Sequence, residues 1–173
     1  MQKYDRKDDC SMVIKKLHAD FDLCTGCAIC TLKCSQAKTG GYNPRFARLR
    51  LENRMEGLVT EPVVCNQCEN AFCMHVCPVS AIQKHNGIPI IDRETCIGCG
   101  RCKAYCPKDV IVMQDRKAGK CDLCQGDPIC VKNCPTGALK LYEYPSRGDS
   151  SDNLSDGENY AVALEGVDHD GNE

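Results

Sequence analysis

Sixteen of the seventeen cysteines fall into four groups of four: Cys24, Cys27, Cys30 and Cys34; Cys65, Cys68, Cys73 and Cys77; Cys96, Cys99, Cys102 and Cys106; Cys121, Cys124, Cys130 and Cys134. Three closely spaced thiolates can wrap one iron–sulfur cubane. The fourth, three residues further on, begins a turn that carries it toward a neighbouring cluster. The pattern points to four [4Fe-4S] clusters and to one-electron chemistry, so the chain reads as a wire.

Spacing also bears on which cysteines share a cluster. In two-cluster ferredoxins the fourth cysteine of one motif ligates the other cluster, so motifs work in reciprocal pairs. The 18 residues between Cys77 and Cys96 suffice for one hairpin. Groups two and three then pair, with one cluster on Cys65, Cys68, Cys73 and Cys106 and another on Cys96, Cys99, Cys102 and Cys77. Groups one and four pair across the chain ends, with Cys24, Cys27, Cys30 and Cys134 on one cluster and Cys121, Cys124, Cys130 and Cys34 on the other. Sequential pairing, one with two and three with four, is the alternative; its linkers are unequal, at 30 and 14 residues.

Short elements must position these ligands. Groups two, three and four end alike, in CPVSAI, CPKDVI and CPTGAL, which marks internal duplication. Proline after the fourth cysteine lacks an N–H and fixes φ, so it turns the backbone off the cluster. In group one Ser35 follows Cys34, and a different chain exit is expected there. Asn86-Gly87 suits a tight hairpin turn between strands at Ala81 to His85 and Ile88 to Ile91. Further strands are expected at Met12 to His18, Arg45 to Leu51, Val110 to Met113 and Ala138 to Tyr142, with short helices near Cys30, Cys73, Cys102 and Cys130. Gly26, Gly98 and Gly100 would let backbone N–H groups approach sulfur, and Ile29, Ile97 and Leu123 would shield clusters from water.

At 173 residues, 42% hydrophobic with no Trp and three Phe, the organic core is thin, and clusters must supply much of the interior. So many cysteines would also suit a disulfide-bonded secreted scaffold. The N-terminal stretch, however, has no apolar h-region, twin-arginine pair or small-residue cleavage site, and no later segment is long and apolar enough to span a bilayer. A soluble cytoplasmic protein is expected. The formal charge of -2 hides an asymmetry: from Pro145 onward one basic residue faces eight acidic ones, while residues 1–144 carry 21 basic against 16 acidic. Four loaded clusters add about -8, so the basic residues read as compensation or as a docking surface, not as a nucleic-acid footprint. Residues 145–173, rich in Ser, Asp, Gly and Asn, read as an acidic extension without a core; if ordered, it would lie on a partner through Tyr160 to Leu164.

Competing readings attach to single residues. Sixteen cysteines could hold four zinc ions, yet the recurring CxxxCP and the lack of His18, His75, His85 or His169 in any motif favour iron. Cys10 reads as a lone thiol. Arg45, Arg48, Arg50 and Arg54 form by default a solvated strand face, Asp122 a cap or turn residue, and Tyr42 and Tyr105 packing residues.

Taken in order, CTGCAICTLKCSQAKTGGYNPRFARLRL, VVCNQCENAFCMHVCPVSAI, IIDRETCIGCGRCKAYCPKDVI and KCDLCQGDPICVKNCPTGALKL resemble the four-cluster ferredoxin-like electron-transfer subunits of molybdenum and tungsten oxidoreductases. The resemblance covers about residues 10–144. Within the family, CDLCQGDPICVKNCPTGAL and NPRFARLRL look most like the small subunit of tungsten-containing aldehyde oxidoreductases. Similar subunits serve benzoyl-coenzyme A reductases, carbon monoxide dehydrogenases, hydrogenases and dimethyl-sulfoxide-reductase-type enzymes. The resemblance implies an α+β fold of two pseudo-symmetric ferredoxin-like (βαβ)2 units in a domain of residues 1–144, one half being about residues 60–115 and the other formed by groups one and four. It implies a large tungsten- or molybdenum-pterin catalytic partner and a flavin/NAD subunit or ferredoxin as acceptor; further copies in a larger assembly are a weaker expectation. The chain itself shows no nucleotide-binding glycine loop and no acid/base constellation apart from its cysteines, so it is read as non-catalytic. A free polyferredoxin and a zinc interaction module are the remaining alternatives.

Overall fold

The third cysteine of every group sits on a helix, and the residue after the fourth decides how long that helix runs. The computed structural model describes residues 13–145 and 162–163. In chain order they form β1 (Val13–Ala19), α1 (Ile29–Thr39), β2 (Arg50–Arg54), β3 (Val59–Val63), α2 (Phe72–His75), β4 (Ile82–His85), β5 (Ile88–Ile91), α3 (Arg101–Ala104), β6 (Val112–Gln114), β7 (Lys117–Gly119), α4 (Ile129–Lys132), β8 (Leu139–Pro145) and β9 (Val162–Ala163). Helices α2, α3 and α4 have four residues each, because Pro78, Pro107 and Pro135 follow the fourth cysteine and cannot continue a helix. Where Ser35 stands instead, α1 runs for 11 residues and stops at Gly40, whose left-handed φ of 75° lets its N–H close on the Gln36 carbonyl at 2.9 Å.

All strand pairings are antiparallel: β1 with β8 and β8 with β9, β2 with β3, β4 with β5, and β6 with β7. The β1–β8 pair joins the two ends of the described body, and the Lys15–Glu143 ion pair at 2.5 Å lies across it. Helix α1 packs on α4, and α2 on α3. The result is a mixed fold of small helices and antiparallel sheets. Among the described residues no helix is long and apolar enough to cross a membrane.

Cysteines form part of the interior. Cys30, Cys34 and Cys130 are buried among Leu17, Ala47, Leu49, Leu123, Leu139 and Leu141. Cys96 and Cys102 are buried with Ala81, Ile82, Ile111 and Ala118. Between these clusters Val63, Cys65 and Val110 pack against Cys106 and Cys121.

The hairpin at Asn86-Gly87 forms with positive φ at both residues, 49° and 77°. Other expectations need correction. The strand expected at Arg45 to Leu51 begins only at Arg50 and continues to Arg54. Pro44 opens a 3-10 turn over Pro44–Phe46, capped by the Asn43 side chain, which accepts from the Arg45 N–H. The strand expected at Val110 to Met113 starts at Val112 and pairs with Lys117–Gly119 through Asp115 and Arg116, whose φ values are 51° and 57°. Neither residue is glycine, so the turn signal is weak; β3 was likewise not expected. Arg48 is buried, Arg50 pairs with Glu52 and Asp109, and Arg54 with Glu52 and Glu61, so the four arginines are no common solvated face. Tyr42 and Tyr105, expected in the packing, are 61% and 62% exposed on loop positions. Val162–Ala163 pairs with Tyr142 and Glu143; Cys10 and the remainder of the tail lie outside the described residues.

Gly98 and Gly100 differ in a way that can be measured. Their φ values are nearly equal, 72° and 75°, but a Cβ on Gly98 would lie 1.8 Å from the Arg116 carbonyl oxygen, whereas one on Gly100 meets nothing within 4 Å. Gly100→Ala should cost only the left-handed penalty of ~1–2 kcal/mol. Gly98→Ala should lose well beyond ~2 kcal/mol, since backbone must move as well. Anaerobic thermal unfolding compares them, and equal losses would refute the packing argument.

Candidate metal centres

Cys24 and Cys27 lie on the loop entering α1, Cys30 on its first turn, and Cys134 just beyond α4. These four line one cavity, together with Ala28, Leu51, Pro62 and Leu139. Cys65, Cys68, Cys73 and Cys106 line a second, with Ala71, Phe72, Ile111 and Lys120. Cys77, Cys96, Cys99 and Cys102 line a third, with Val79, Ile82, Ile97 and Ala118. The remaining four meet where α1 approaches α4: Cys34 is within charge–charge reach of Cys124, and Cys130 of Cys121, Cys34 and Cys124. The structure thus brings Cys134 to group one and Cys34 to group four, and exchanges Cys77 and Cys106 between groups two and three. All sixteen are free thiols.

Neighbouring quartets also meet through packing. Cys130 and Cys30 share one buried cluster, Cys121 packs against the cluster of Cys65, and Cys73 against that of Cys102. From end to end the order is the Cys24 quartet, the Cys121 quartet, the Cys65 quartet and the Cys96 quartet. In the first and last, one cysteine is exposed to solvent, Cys27 and Cys99 respectively.

Without a cationic partner these sulfurs would resist ionisation. Burial pushes the Cys121 thiol up to about 12, and Cys30 and Cys102 to about 11. It also raises Cys34, Cys73 and Cys130. Cys134 goes the other way: burial raises it, but hydrogen bonds from Leu139, Thr136 and Ala138 together outweigh that and bring it below the ordinary thiol value. Three further backbone N–H groups donate to sulfur: Arg48 to Cys34 at 3.2 Å, Ala81 to Cys77 at 3.3 Å and Ala118 to Cys96 at 3.5 Å.

Arg48 reports on the kind of group that fits. It is 4% exposed, its Nη1 has no hydrogen-bond partner, and its charge interacts with those of Cys34, Asp122 and Cys121. Burial depresses its pKa, and these neighbours pull the other way. Gly119 leaves room for the guanidinium where it lies, since a Cβ there would be 2.2 Å from the guanidinium carbon. A buried cation with an orphaned donor beside Cys34 suits an anionic group at that quartet. Among the described residues no three His, Cys, Asp or Glu side chains converge as a single ion requires. Thiols that ring apolar cavities instead suit a polynuclear iron–sulfur core, which when bound stores single electrons.

Several expected roles shift. Gly26, Gly98 and Gly100 carry left-handed loop turns, with φ from 69° to 75°, and the sulfur-bonding amides named above belong to other residues. Leu123 is fully buried, but Ile97 is 61% exposed at the rim of the third cavity and Ile29 is 36% exposed. Asp122 does cap a turn, accepting from the Cys124 N–H at 3.0 Å, and also pairs with Lys38 at 2.7 Å across from α1. That pair raises the Lys38 pKa and lowers that of Asp122, against the opposing effect of burial on each. The cation beside Cys34 was not legible, because Arg48 alternates with Arg50 as a surface strand would.

Residues 57–144 match the 4Fe-4S dicluster domain family. An uncharacterized ferredoxin of Methanocaldococcus jannaschii is 38% identical over 133 residues, spanning 76% of this chain and 75% of that protein. The thiosulfate reductase electron transfer subunit of Salmonella typhi is 35% identical, over 70% of this chain and 72% of that one. The polyferredoxin-like subunit of the aliphatic sulfonate oxidoreductase of Pyrococcus furiosus is 34% identical, over 65% of this chain and 67% of that one. With cysteine quartets ringing its cavities and this match across half its length, the chain belongs to the 4Fe-4S dicluster ferredoxin family.

Proposed function

We propose that this chain is a non-catalytic iron–sulfur electron-transfer subunit, relaying single electrons from the tungsten- or molybdenum-pterin centre of an aldehyde oxidoreductase to a flavin/NAD subunit or ferredoxin. Four [4Fe-4S] clusters occupy the four quartets, on Cys24, Cys27, Cys30 and Cys134; Cys121, Cys124, Cys130 and Cys34; Cys65, Cys68, Cys73 and Cys106; and Cys96, Cys99, Cys102 and Cys77. The observation that carries the reading is the row of quartets, adjoining where Cys30 and Cys130 share one buried cluster, Cys121 packs against the cluster of Cys65, and Cys73 against that of Cys102, with an exposed cysteine at each end. A carrier between two partners needs accessible terminal sites and a closed middle. The chain's own residues space the carriers, exclude water and donate hydrogen bonds to sulfur. The choice of an aldehyde-oxidising partner rests on the group-four and NPRFARLRL resemblance. A partner acting on sulfur compounds is the second reading, favoured by the thiosulfate reductase and sulfonate oxidoreductase relatives.

Anaerobic purification should yield brown protein with about sixteen iron atoms per chain and a large pterin-containing protein in fixed stoichiometry. Colourless, zinc-loaded protein would remove the proposal. Metal analysis of the partner, followed by assays with aldehydes and with thiosulfate or sulfonates, separates the two readings.

Cys134→Ser should perturb the electron paramagnetic resonance signal of the cluster shared with Cys24, Cys27 and Cys30, with loss of up to about four iron atoms. If the signal that changes is instead that of the Cys96 cluster, the nested assignment fails.

A further inference from the structure

Lys120 is a buried cation at the middle of the row. It is 7% exposed, and its Nζ donates to three oxygens: Gln67 Oε1 at 2.9 Å, the Pro89 carbonyl at 2.7 Å and the Cys121 carbonyl at 2.8 Å. Three acceptors match the three donors of a lysine side chain. Gln67, 1% exposed between Cys65 and Cys68, locks the arrangement by donating its Nε2 to the same Cys121 carbonyl at 3.1 Å. Among the described residues Lys120 makes no ion pair. Its stem lines the cavity of Cys65, Cys68, Cys73 and Cys106, and its charge reaches both Cys73 and Cys121.

An ammonium held by neutral oxygens alone is costly to bury unless anions lie close by. Here Lys120 lines the cavity of the Cys65 quartet and bonds the carbonyl of Cys121, and both quartets would be anionic once they hold iron. We infer that Lys120, held by Gln67, is a positioning residue that raises the reduction potential at the junction between the Cys65 and Cys121 quartets, so that an electron crosses between the two halves of the chain without a deep well or a high step. The inference rests on the reading of these quartets as iron–sulfur centres. In the crossing, one centre is oxidised and its neighbour reduced by the same single electron. No bond breaks, and only the electron moves. Reduction adds negative charge, and the fixed positive charge favours the reduced form at whichever of the two centres holds the electron.

The test is a redox titration followed by electron paramagnetic resonance on the full chain, with iron content measured first. Wild-type protein without iron would overturn the cluster reading, and this inference with it. In iron-replete Lys120→Met or Lys120→Gln, at least one midpoint should fall by a factor of ten or more in the reduced-to-oxidised ratio, which is 59 mV for a one-electron couple, while the others move less. Lys120→Arg, which retains the charge, should leave that midpoint near its wild-type value. Unmoved midpoints in either neutral variant overturn the inference. So does loss of iron in both neutral variants, which would make Lys120 a folding residue, or an equal fall in Lys120→Arg.

Discussion

Sulfur that must be ionised to bind iron is buried here where ionisation is unfavourable, and most of the structure serves to compensate for that. Cys121 would hold its proton up to about pH 12 in the bare chain, and Cys30 and Cys102 up to about 11. Backbone amides directed at sulfur, the guanidinium of Arg48 and the cationic iron of the bound core each offset part of the cost. The organic interior is correspondingly sparse: aliphatic residues such as Leu49, Leu139 and Ile111 pack against thiols as much as against one another.

This requirement reaches into the backbone. The segment from Ala47 to Leu49 has the alternation of a strand but is not one, because its Arg48 N–H goes to Cys34 Sγ at 3.2 Å instead of joining a ladder. An amide buried away from water needs a partner, and here a cysteine sulfur takes the place of a carbonyl. The strand therefore waits until Arg50, beyond reach of the sulfur. Ala81, just before β4, and Ala118, in the middle of β7, also direct their amides at sulfur, reaching Cys77 and Cys96.

Positive charge is placed with matching economy. Arg50, Arg54 and Lys38 are neutralised by carboxylates near the surface, where ion pairs contribute little to stability. Arg48 and Lys120 are buried without such partners and face the quartets instead. The net charge of -2 gives no hint of this division, since exposed and buried cations count alike in it.

The cysteine spacing determined, from the chain alone, that iron–sulfur chemistry was the natural reading, and the prolines after Cys77, Cys106 and Cys134 determined where three of the helices stop. These are local effects, fixed by ligand geometry and by one missing N–H. The Asn86-Gly87 hairpin was legible for the same reason, whereas Asp115-Arg116 was not, because its left-handed turn contains no glycine to mark it. Only the tertiary structure decided which thiols line a common cavity, which arginine goes inside and what Lys120 holds. Each of those depends on a contact between segments far apart in the chain, and spacing along one segment carries no information about the electrostatic surroundings that another segment supplies.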